Sequence, residues 1–133
     1  MIKLQSIWIL IFGILLSSCH MESKRENAKG MNLLLQQDYI GAAATFGAIC
    51  QTDPAWMPAF YNRAVALAHC GRYDQAIKDF DYVININPDH ADAYFNRAIL
   101  FENLQQYSNA IKDYTQAIAL QPNYLMAYHY RGM

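Results

Sequence analysis

The chain has 133 residues, of which 54% are hydrophobic and 16% are charged, and its formal net charge is −1. This length is typical of one domain, and the hydrophobic fraction is too high for a disordered chain. A nearly neutral chain has no electrostatic field for gripping phosphates, so we expect no nucleic-acid partner.

The first element is an apolar run that follows a single cation, Lys3. The run extends from Ile7 to Leu16, and ten helical residues span only about 15 Å, half of a bilayer core of about 30 Å. We therefore do not expect an ordinary transmembrane helix. The pattern is typical of a removable export signal, here residues 1–18.

The end of this run, Leu16-Ser17-Ser18-Cys19, resembles the lipobox of bacterial lipoproteins. In that family the signal is cleaved just before a cysteine that receives acyl chains. The resemblance implies acylation of Cys19, a short linker at residues 19–22, and a membrane-anchored lipoprotein on the periplasmic or surface side of a bacterial cell envelope. Each buried CH₂ contributes about 0.8 kcal/mol, so two or more chains hold a protein on a membrane. The alternative is a plain signal peptide with a chance cysteine.

A 34-residue period follows, with windows at 23–56, 57–90 and 91–124 and a remainder at 125–133. The second and third windows share the run Ala-Ile-Lys-Asp, at 76–79 and 110–113. The first window is more divergent, but Tyr39 matches Tyr73 and Pro54 matches Pro88. Because an ordinary helix bundle needs no fixed period, the repetition predicts a solenoid.

Each window predicts two helices. In the second window, apolar residues spaced by three and four form one stripe from Phe60 to Ala68 and another from Tyr73 to Ile84. Gly71 supplies the turn between them, Pro88 ends the second helix, and Asp89 is placed to cap the next one. The expected fold class is all-α, built from antiparallel helix pairs.

Small residues recur at one place on each predicted helix, where they allow two helix axes to approach closely. They are Gly30, Ala64, Ala98 and Gly132 on the first helices and Ala42, Ala76 and Ala110 on the second helices. Aromatic rings are expected to fill the space around these contacts. They are Tyr39, Tyr73 and Tyr107, together with Phe46, Phe80 and Tyr114.

This order of small residue, large apolar residue, tyrosine, alanine, aromatic residue and proline resembles the pattern of tetratricopeptide repeats, over residues 23–133. The resemblance implies a solenoid of three full repeats and the start of a fourth. The chain departs from the family pattern at Gln37 and Gln105, where a turn glycine is frequent.

A column of arginines also departs from the family pattern, which often has leucine there. Its members are Arg63, Arg97 and Arg131. Because the column repeats, we interpret it as structural. The aliphatic stems are expected to cover the helix contact, and the guanidinium groups to reach Asp79 or Asp113 on a neighbouring second helix.

Stacked helix pairs line a concave groove with their first helices, and solenoids usually bind partners there. Helical spacing assigns to this groove Lys24, Asn27 and Met31, then Tyr61, Asn62, Val65 and His69, then Phe95, Asn96, Ile99 and Glu102. Asparagine both donates to and accepts from a peptide backbone, and aromatic rings offer flat apolar contact. The expected partner is an extended or helical segment of another protein.

Some members of the family act as co-chaperones that grip a C-terminal carboxylate with lysine, arginine and asparagine from successive first helices. Asn62 stands where such a clamp needs an asparagine. Asp92 and Asn96, however, lie where a cation would be needed. We therefore reject the carboxylate clamp for this chain.

The histidines and cysteines form no catalytic or metal-binding pattern, so we expect no enzyme, metal, cofactor or small-molecule substrate. The histidines are scattered, and His69 and Cys70 are adjacent on a helix and point in different directions. Cys50 and Cys70 are separated by roughly thirteen helical residues at 1.5 Å each, beyond disulfide reach. Both are predicted to be unpaired, mostly buried thiols.

The predicted function is that of a membrane-anchored scaffold or adaptor. The alternative is a chiefly structural module of a larger array in an envelope assembly, without a groove ligand of its own. Residues 125–133 repeat the opening of a first helix and would leave Leu125, Tyr128 and Met133 as uncovered apolar surface. We expect the chain either to be cut short from a longer repeat protein or to be completed by a partner.

Overall fold

The structure is a computed structural model that describes residues 4–132, apart from the side chain of Leu16. Within that range the chain forms helices and no strand. They are α1 (Leu4–Leu35), α2 (Tyr39–Thr52), α3 (Met57–His69), α4 (Tyr73–Ile86), α5 (Ala91–Asn103), α6 (Tyr107–Leu120) and α7 (Leu125–Arg131). Lys3 and Met133, which enter the sequence predictions, lie outside the described residues.

The starting positions of the helices repeat with the same 34-residue period as the sequence. First helices α3, α5 and α7 begin at Met57, Ala91 and Leu125, and each starts 34 residues after the one before it. Second helices α2, α4 and α6 begin at 39, 73 and 107, with the same interval. Each helix packs against its neighbours in sequence. The predicted all-α solenoid of antiparallel helix pairs is confirmed.

One turn geometry joins the two helices of every repeat. Gly71 has φ +73°, and one repeat to either side Gln37 has φ 61° and Gln105 has φ 59°. In each turn the N–H of the following residue donates back to a carbonyl near the helix end, as from Arg72 to Leu67 at 2.9 Å. This is the hydrogen bond of a Schellman helix end, which requires a left-handed residue. The glutamines therefore adopt the backbone of the glycine that they replace.

The predicted cap of α5 is wrong by one residue. His90, and not Asp89, occupies the N-cap position, and its Nδ1 accepts a hydrogen bond from the Ala93 N–H at 3.3 Å. The N-cap residue directly precedes the first helical residue, which here is Ala91. Asp89 lies one residue too early and is exposed.

The small-residue columns form the closest helix contacts. Ala42, Ala64, Ala76 and Ala98 are fully buried. At Gly30 a Cβ atom would lie 2.5 Å from the Phe46 ring, so α1 approaches α2 only because that atom is missing. Phe46, Phe80 and Tyr114 are almost completely buried, as the pattern predicts.

Two members of these columns lie at the surface, contrary to the prediction. Tyr107 is 59% exposed, and Gly132 is exposed as well. In the first repeat the corresponding ring, Tyr39, is covered by His69 near the end of the next first helix, at 4.2 Å between ring centroids. The next first helix after Tyr107 is α7, which ends at Arg131, before it reaches the equivalent position.

Arg63 and Arg97 pair with aspartates of the same repeat, which confirms the predicted structural role for these two members of the arginine column. The third member, Arg131, is exposed, and its guanidinium lies 5.3 Å from the Tyr128 ring. Arg63 donates from Nε and Nη2 to both carboxylate oxygens of Asp79, each at 2.7 Å. Arg97 makes the same two bonds to Asp113, at 2.6 and 2.8 Å. Each aspartate is only 6% exposed. The side-chain hydrogen bonds to Asp79 raise the pKa of Arg63, so this guanidinium is charged at every accessible pH.

Helix α1 runs without a break from Leu4 through residues 19–22 into the first repeat. Contacts with the repeats begin at Cys19, whose thiol lies 3.8 Å from the Thr52 carbonyl oxygen. His20 and Ser23 then approach the Asp53 carboxylate, at 3.2 and 3.0 Å. Residues 19–22 are therefore helical. Cleavage of the signal at residues 1–18, the linker at residues 19–22 and acylation of Cys19 stay predictions.

The apolar half of α1 projects away from the repeats. Its large side chains from Leu4 to Leu15 are exposed, Trp8 by 69% and Phe12 by 65%. Among the described helices, α1 alone is long and apolar enough to cross a membrane, with a mean hydropathy of 1.7 over eighteen residues. A signal sequence meets the same test. The apolar run from Ile7 to Leu16 is only part of α1, which extends beyond it on both sides.

Candidate partner-binding groove

The first helices α1, α3 and α5 lie side by side, and a cavity of about 290 Å³ opens between α3 and α5. Four of the predicted groove residues line it, namely Val65, His69, Asn96 and Ile99. The walls therefore combine aliphatic side chains with an amide and an imidazole. The structure brings these four predicted residues together in one cavity.

Hydrogen bonds between polar side chains connect the three first helices. The Asn62 amide donates to Oδ1 of Asn27 at 3.1 Å, and the Asn96 amide donates to the Tyr61 hydroxyl at 2.9 Å. An asparagine side chain carries two N–H donors and an acceptor oxygen. The single bond that each donor residue makes leaves further capacity for the backbone of a bound peptide.

Tyr61 is held between the core and the groove. Its ring stacks on His90 with centroids 4.9 Å apart, and it meets the Phe80 ring edge-on at 5.7 Å. Burial raises the pKa of Tyr61, and the negative charge of Asp92 raises it further. The hydroxyl therefore stays protonated, so it can accept from Asn96 and donate its own hydrogen to a ligand.

The groove prediction is wrong for Phe95. Its side chain is only 9% exposed and belongs to a core cluster with Tyr114, Tyr124 and Tyr130. Tyr124 packs against the Phe95 ring, with centroids 4.8 Å apart, and its hydroxyl donates to Asp92 at 2.8 Å. One repeat earlier the smaller His90 ring stands at the position of Tyr124, which leaves Tyr61 half-buried. Helical spacing within α5 could not show that a ring from another part of the chain packs against Phe95.

Glu102 connects two helices and is only half-buried. Its carboxylate accepts a hydrogen bond from the Tyr114 hydroxyl at 2.8 Å, which ties α5 to α6. Burial is the main cause of the raised pKa of Tyr114, and this hydrogen bond adds to it. Glu102 does not line the groove cavity, and one of its oxygens is engaged in this contact between α5 and α6.

Helix α1 continues the groove beyond α3. Lys24 is exposed, Asn27 is half-buried, and Met31 is 42% exposed. Five cavity residues escaped the groove prediction, namely Ala68, Tyr73, Phe80, Leu100 and Asn103. Asn103 lies one helical turn after Ile99, so an extension of the same stripe would have found it. Tyr73 was assigned only to helix packing.

The cysteines differ in burial. Cys50 is 6% exposed, whereas Cys70, at the C-terminal end of α3, is half-buried and so less covered than predicted. Burial raises the pKa of the Cys50 thiol to about 11. Within residues 4–132 no three histidine, cysteine, aspartate or glutamate side chains form a group that could hold a metal ion.

Comparisons with known proteins show the fold. The first TPR of Spaghetti (RPAP3) bound to the HSP90 peptide SRMEEVD has a TM-score of 0.82 and 24% identity, covering 84% of this chain and 89% of that chain. The Arabidopsis OM64 TPR domain has a TM-score of 0.82 and 22% identity, covering 84% and 93%. The second TPR domain of human RPAP3, in complex with the HSP70 peptide SGPTIEEVD, has a TM-score of 0.81 and 22% identity, covering 86% and 95%.

Sequence comparison identifies the family. No curated protein matches the chain. A family model described as the tetratricopeptide repeat matches residues 58–90 and 91–124, half of the chain. These two matches cover helices α3 to α6, which carry the paired arginines and the groove cavity. The chain therefore belongs to the tetratricopeptide repeat family.

Proposed function

We propose that this chain is a membrane-anchored adaptor that holds a segment of another protein in the groove of α1, α3 and α5. The observation that carries the proposal is the cavity between α3 and α5, where Val65 and Ile99 lie beside the Asn96 amide. An apolar wall with a few placed polar groups is typical of a ligand-binding site. Similar structures with peptides bound, those of the two RPAP3 domains, support a protein partner for this fold.

The groove favours a peptide held along its length over one held by a terminal carboxylate. Asn62 is hydrogen-bonded to Asn27, and the Asp92 carboxylate lies beside the groove, where it would repel a second carboxylate. We therefore expect recognition through backbone hydrogen bonds and an apolar side chain in the cavity.

The adaptor proposal is tested by changing two partly buried side chains that line the cavity. We expect Val65→Ser combined with Ile99→Ser to lose a partner that the full-length protein recovers from native membranes. The matched control is Ile86→Ser combined with Ile111→Ser, because these isoleucines are 48% and 52% exposed and lie on second helices. Thermal unfolding of both variants separates lost binding from lost folding.

A chiefly structural module is the second candidate, and the internal bonding of the groove favours it. Asn96 is already bonded to Tyr61, and Phe95 is buried. If the cavity variant recovers the same partners as the wild type, the groove has no ligand and the structural module is supported.

We further propose that acylation of Cys19 anchors the protein on the periplasmic or surface side of a bacterial cell envelope. Support comes from the sequence before Cys19 and from the exposed apolar half of α1. Cys19→Ala should abolish labelling by a fatty-acid analogue and release the protein from membranes. If the unlabelled variant stays on membranes, the anchor is α1 itself and anchoring by acylation of Cys19 is refuted.

A further inference from the structure

A second cavity, of about 730 Å³, lies between the second helices α2 and α4, with α3 as its floor. Its wall on α2 is formed by small side chains, among them Ala43, Ala44 and Gly47. It shares no lining residue with the groove cavity. The adaptor proposal leaves it without a role.

In the next repeat, larger side chains stand at the positions equivalent to those that line this cavity. One period after Ala43 and Gly47 stand Ile77 and Asp81, and one period after Leu67 stands Phe101. Ile77 and Asp81 are four residues apart on α4, so they point the same way from one helix face. The cavity between α2 and α4 therefore lacks an aliphatic side chain and a carboxylate that stand at the equivalent positions one repeat later.

The missing carboxylate leaves one end of Arg63 available. In the next repeat Arg97 binds Asp113 through Nε and Nη2, and its Nη1 also donates to Asp81. Arg63 binds Asp79 in the same two-pronged way. A Cβ atom on Gly47 would lie 3.9 Å from Nη1 of Arg63, so Nη1 faces the place where Asp81 stands one repeat later.

The residues that line the cavity carry more positive than negative charge, as expected where a carboxylate is missing. Arg63, Arg72 and Lys78 line it, against one carboxylate, Asp79, which is bound to Arg63. In the part of the chain that the structure describes, neither Arg72 nor Lys78 enters an ion pair. The cavity therefore has an excess of positive charge next to an apolar wall.

We propose that this cavity binds a helical segment of a partner protein that carries an aliphatic residue and, four positions later, an acidic residue. The carboxylate takes at Arg63 the place that Asp81 takes at Arg97. The aliphatic side chain covers Ala43 and Leu67. The apolar wall distinguishes this ligand from a lipid phosphate, which would need only the cations. The site is independent of the α1–α3–α5 groove.

The test uses a fluorescent alanine-based helical peptide with isoleucine and aspartate four positions apart, and the full-length protein in neutral detergent. Fluorescence anisotropy measures its dissociation constant. We expect the same peptide with asparagine in place of aspartate to bind about tenfold more weakly, which corresponds to about 1.4 kcal/mol. Equal binding of the two peptides, or no binding of the aspartate peptide at about 1 mM, overturns the proposal.

Gly47→Asp supplies the carboxylate from within the chain and should block the site. We expect at least tenfold weaker binding of the aspartate peptide, with no fall in the unfolding temperature, because Asp81 is accommodated at the equivalent place. Unchanged peptide affinity in this folded variant overturns the proposal.

A matched pair of lysine variants tests the cavity without filling it. Lys78→Gln removes a cation from the cavity and should weaken binding about threefold, whereas Lys112→Gln, one repeat later, should leave it unchanged. Equal effects of the two changes would show only non-specific attraction and overturn the proposal. Displacement of the peptide by an equal concentration of glycerol phosphate would assign the cavity to lipid headgroups and overturn it as well.

Discussion

The turns between paired helices place three different side chains in one left-handed backbone conformation. Gly71 has φ +73°, while Gln37 and Gln105 have φ 61° and 59°. An L-residue with a side chain pays about 1–2 kcal/mol in this region, and glycine does not. The glutamines are therefore sites of local backbone strain that the surrounding helix packing maintains.

We predict that Gln105→Gly stabilises the protein. Relief of the left-handed strain outweighs the greater chain entropy of glycine, with a net gain of about 0.5–1 kcal/mol in the free energy of unfolding. Gly71→Ala is the reverse change at the equivalent turn and should cost about 1 kcal/mol, because no neighbouring atom lies within 4 Å and only the backbone opposes it. Denaturant titration followed by circular dichroism measures both. A loss of stability in Gln105→Gly would contradict the strain argument.

Gly30 offers a second prediction at this scale. A Cβ atom there meets Phe46 Cε1 at 2.5 Å, so Gly30→Ala must move the ring or separate α1 from α2. Overpacking costs about 1–3 kcal/mol and the better helix propensity of alanine returns about 1, so we expect a net loss of up to about 2 kcal/mol.

Two comparisons test the cause of that loss. At Gly13, also on α1, no atom lies within 4 Å, and Gly13→Ala should not destabilise the repeats. Combining Gly30→Ala with Phe46→Leu should recover part of the cost, because the smaller side chain leaves room for the added methyl group. Full stability of Gly30→Ala alone would mean that the α1–α2 contact can widen freely.

At the scale of elements, the bidentate pairs fix each first helix against its own second helix. Arg97 connects α5 to α6 through Asp113 and also to α4 through Asp81, whereas Arg63 connects only α3 to α4. The Arg97 guanidinium also lies 5.6 Å from the Tyr94 ring and 5.7 Å from the Phe101 ring. Arg97 is therefore the more connected of the two residues.

We predict that Arg97→Leu destabilises the protein more than Arg63→Leu. Removing the arginine leaves a buried aspartate unpaired. Breaking a fully buried ion pair in this way costs about 3–5 kcal/mol, and we expect about 2–3 kcal/mol here because both arginines are partly exposed. Arg63 has one ring contact, to Phe60, and Arg97 has two, so the exposed bond to Asp81 and the additional ring contact add up to about 1 kcal/mol for Arg97. Adding Asp113→Asn to Arg97→Leu should restore part of the loss. Equal unfolding free energies for the two leucine variants would contradict this ranking.

The sequence predicted this pairing because the acid follows the arginine at the same separation in both repeats, and the local geometry of a repeat is set by its own residues. It failed where a residue from another element decides the outcome. Phe95 has the spacing of a groove residue, but Tyr124 covers it and bonds to Asp92. The cap of α5 depended on a helix boundary, which a repeat pattern locates only to within one or two residues.

At the scale of the whole molecule, three core clusters follow one another along the stack. The first contains Ala42, Phe46 and Cys50, the second is centred on Phe80, and the third on Tyr114. In such a solenoid each repeat is stabilised by its immediate neighbours. A probe buried in one cluster therefore reports the opening of the repeats around it.

Cys50 is such a probe, because it is 6% exposed and burial raises the pKa of its thiol from 9.0 to about 11. At pH 8 a thiol with that pKa is about one part in a thousand thiolate, against about a tenth for a thiol with the ordinary pKa of 9.0. We predict that iodoacetamide modifies Cys50 far more slowly than half-buried Cys70, and that both react alike once the chain unfolds in denaturant. Mass spectrometry of the labelled peptides measures both rates.

The same pKa difference predicts a loss of stability at alkaline pH. Between the ordinary pKa of 9.0 and the folded value of about 11, the unfolded chain releases the Cys50 proton while the folded chain retains it. The unfolded state then binds fewer protons, so the free energy of unfolding falls as the pH rises through this window. Cys50→Ala removes this contribution and should flatten the pH dependence between pH 9 and 11 relative to the wild type. An identical slope in the two proteins, measured by denaturant titration, would show that Cys50 ionises as readily in the folded core as in the open chain.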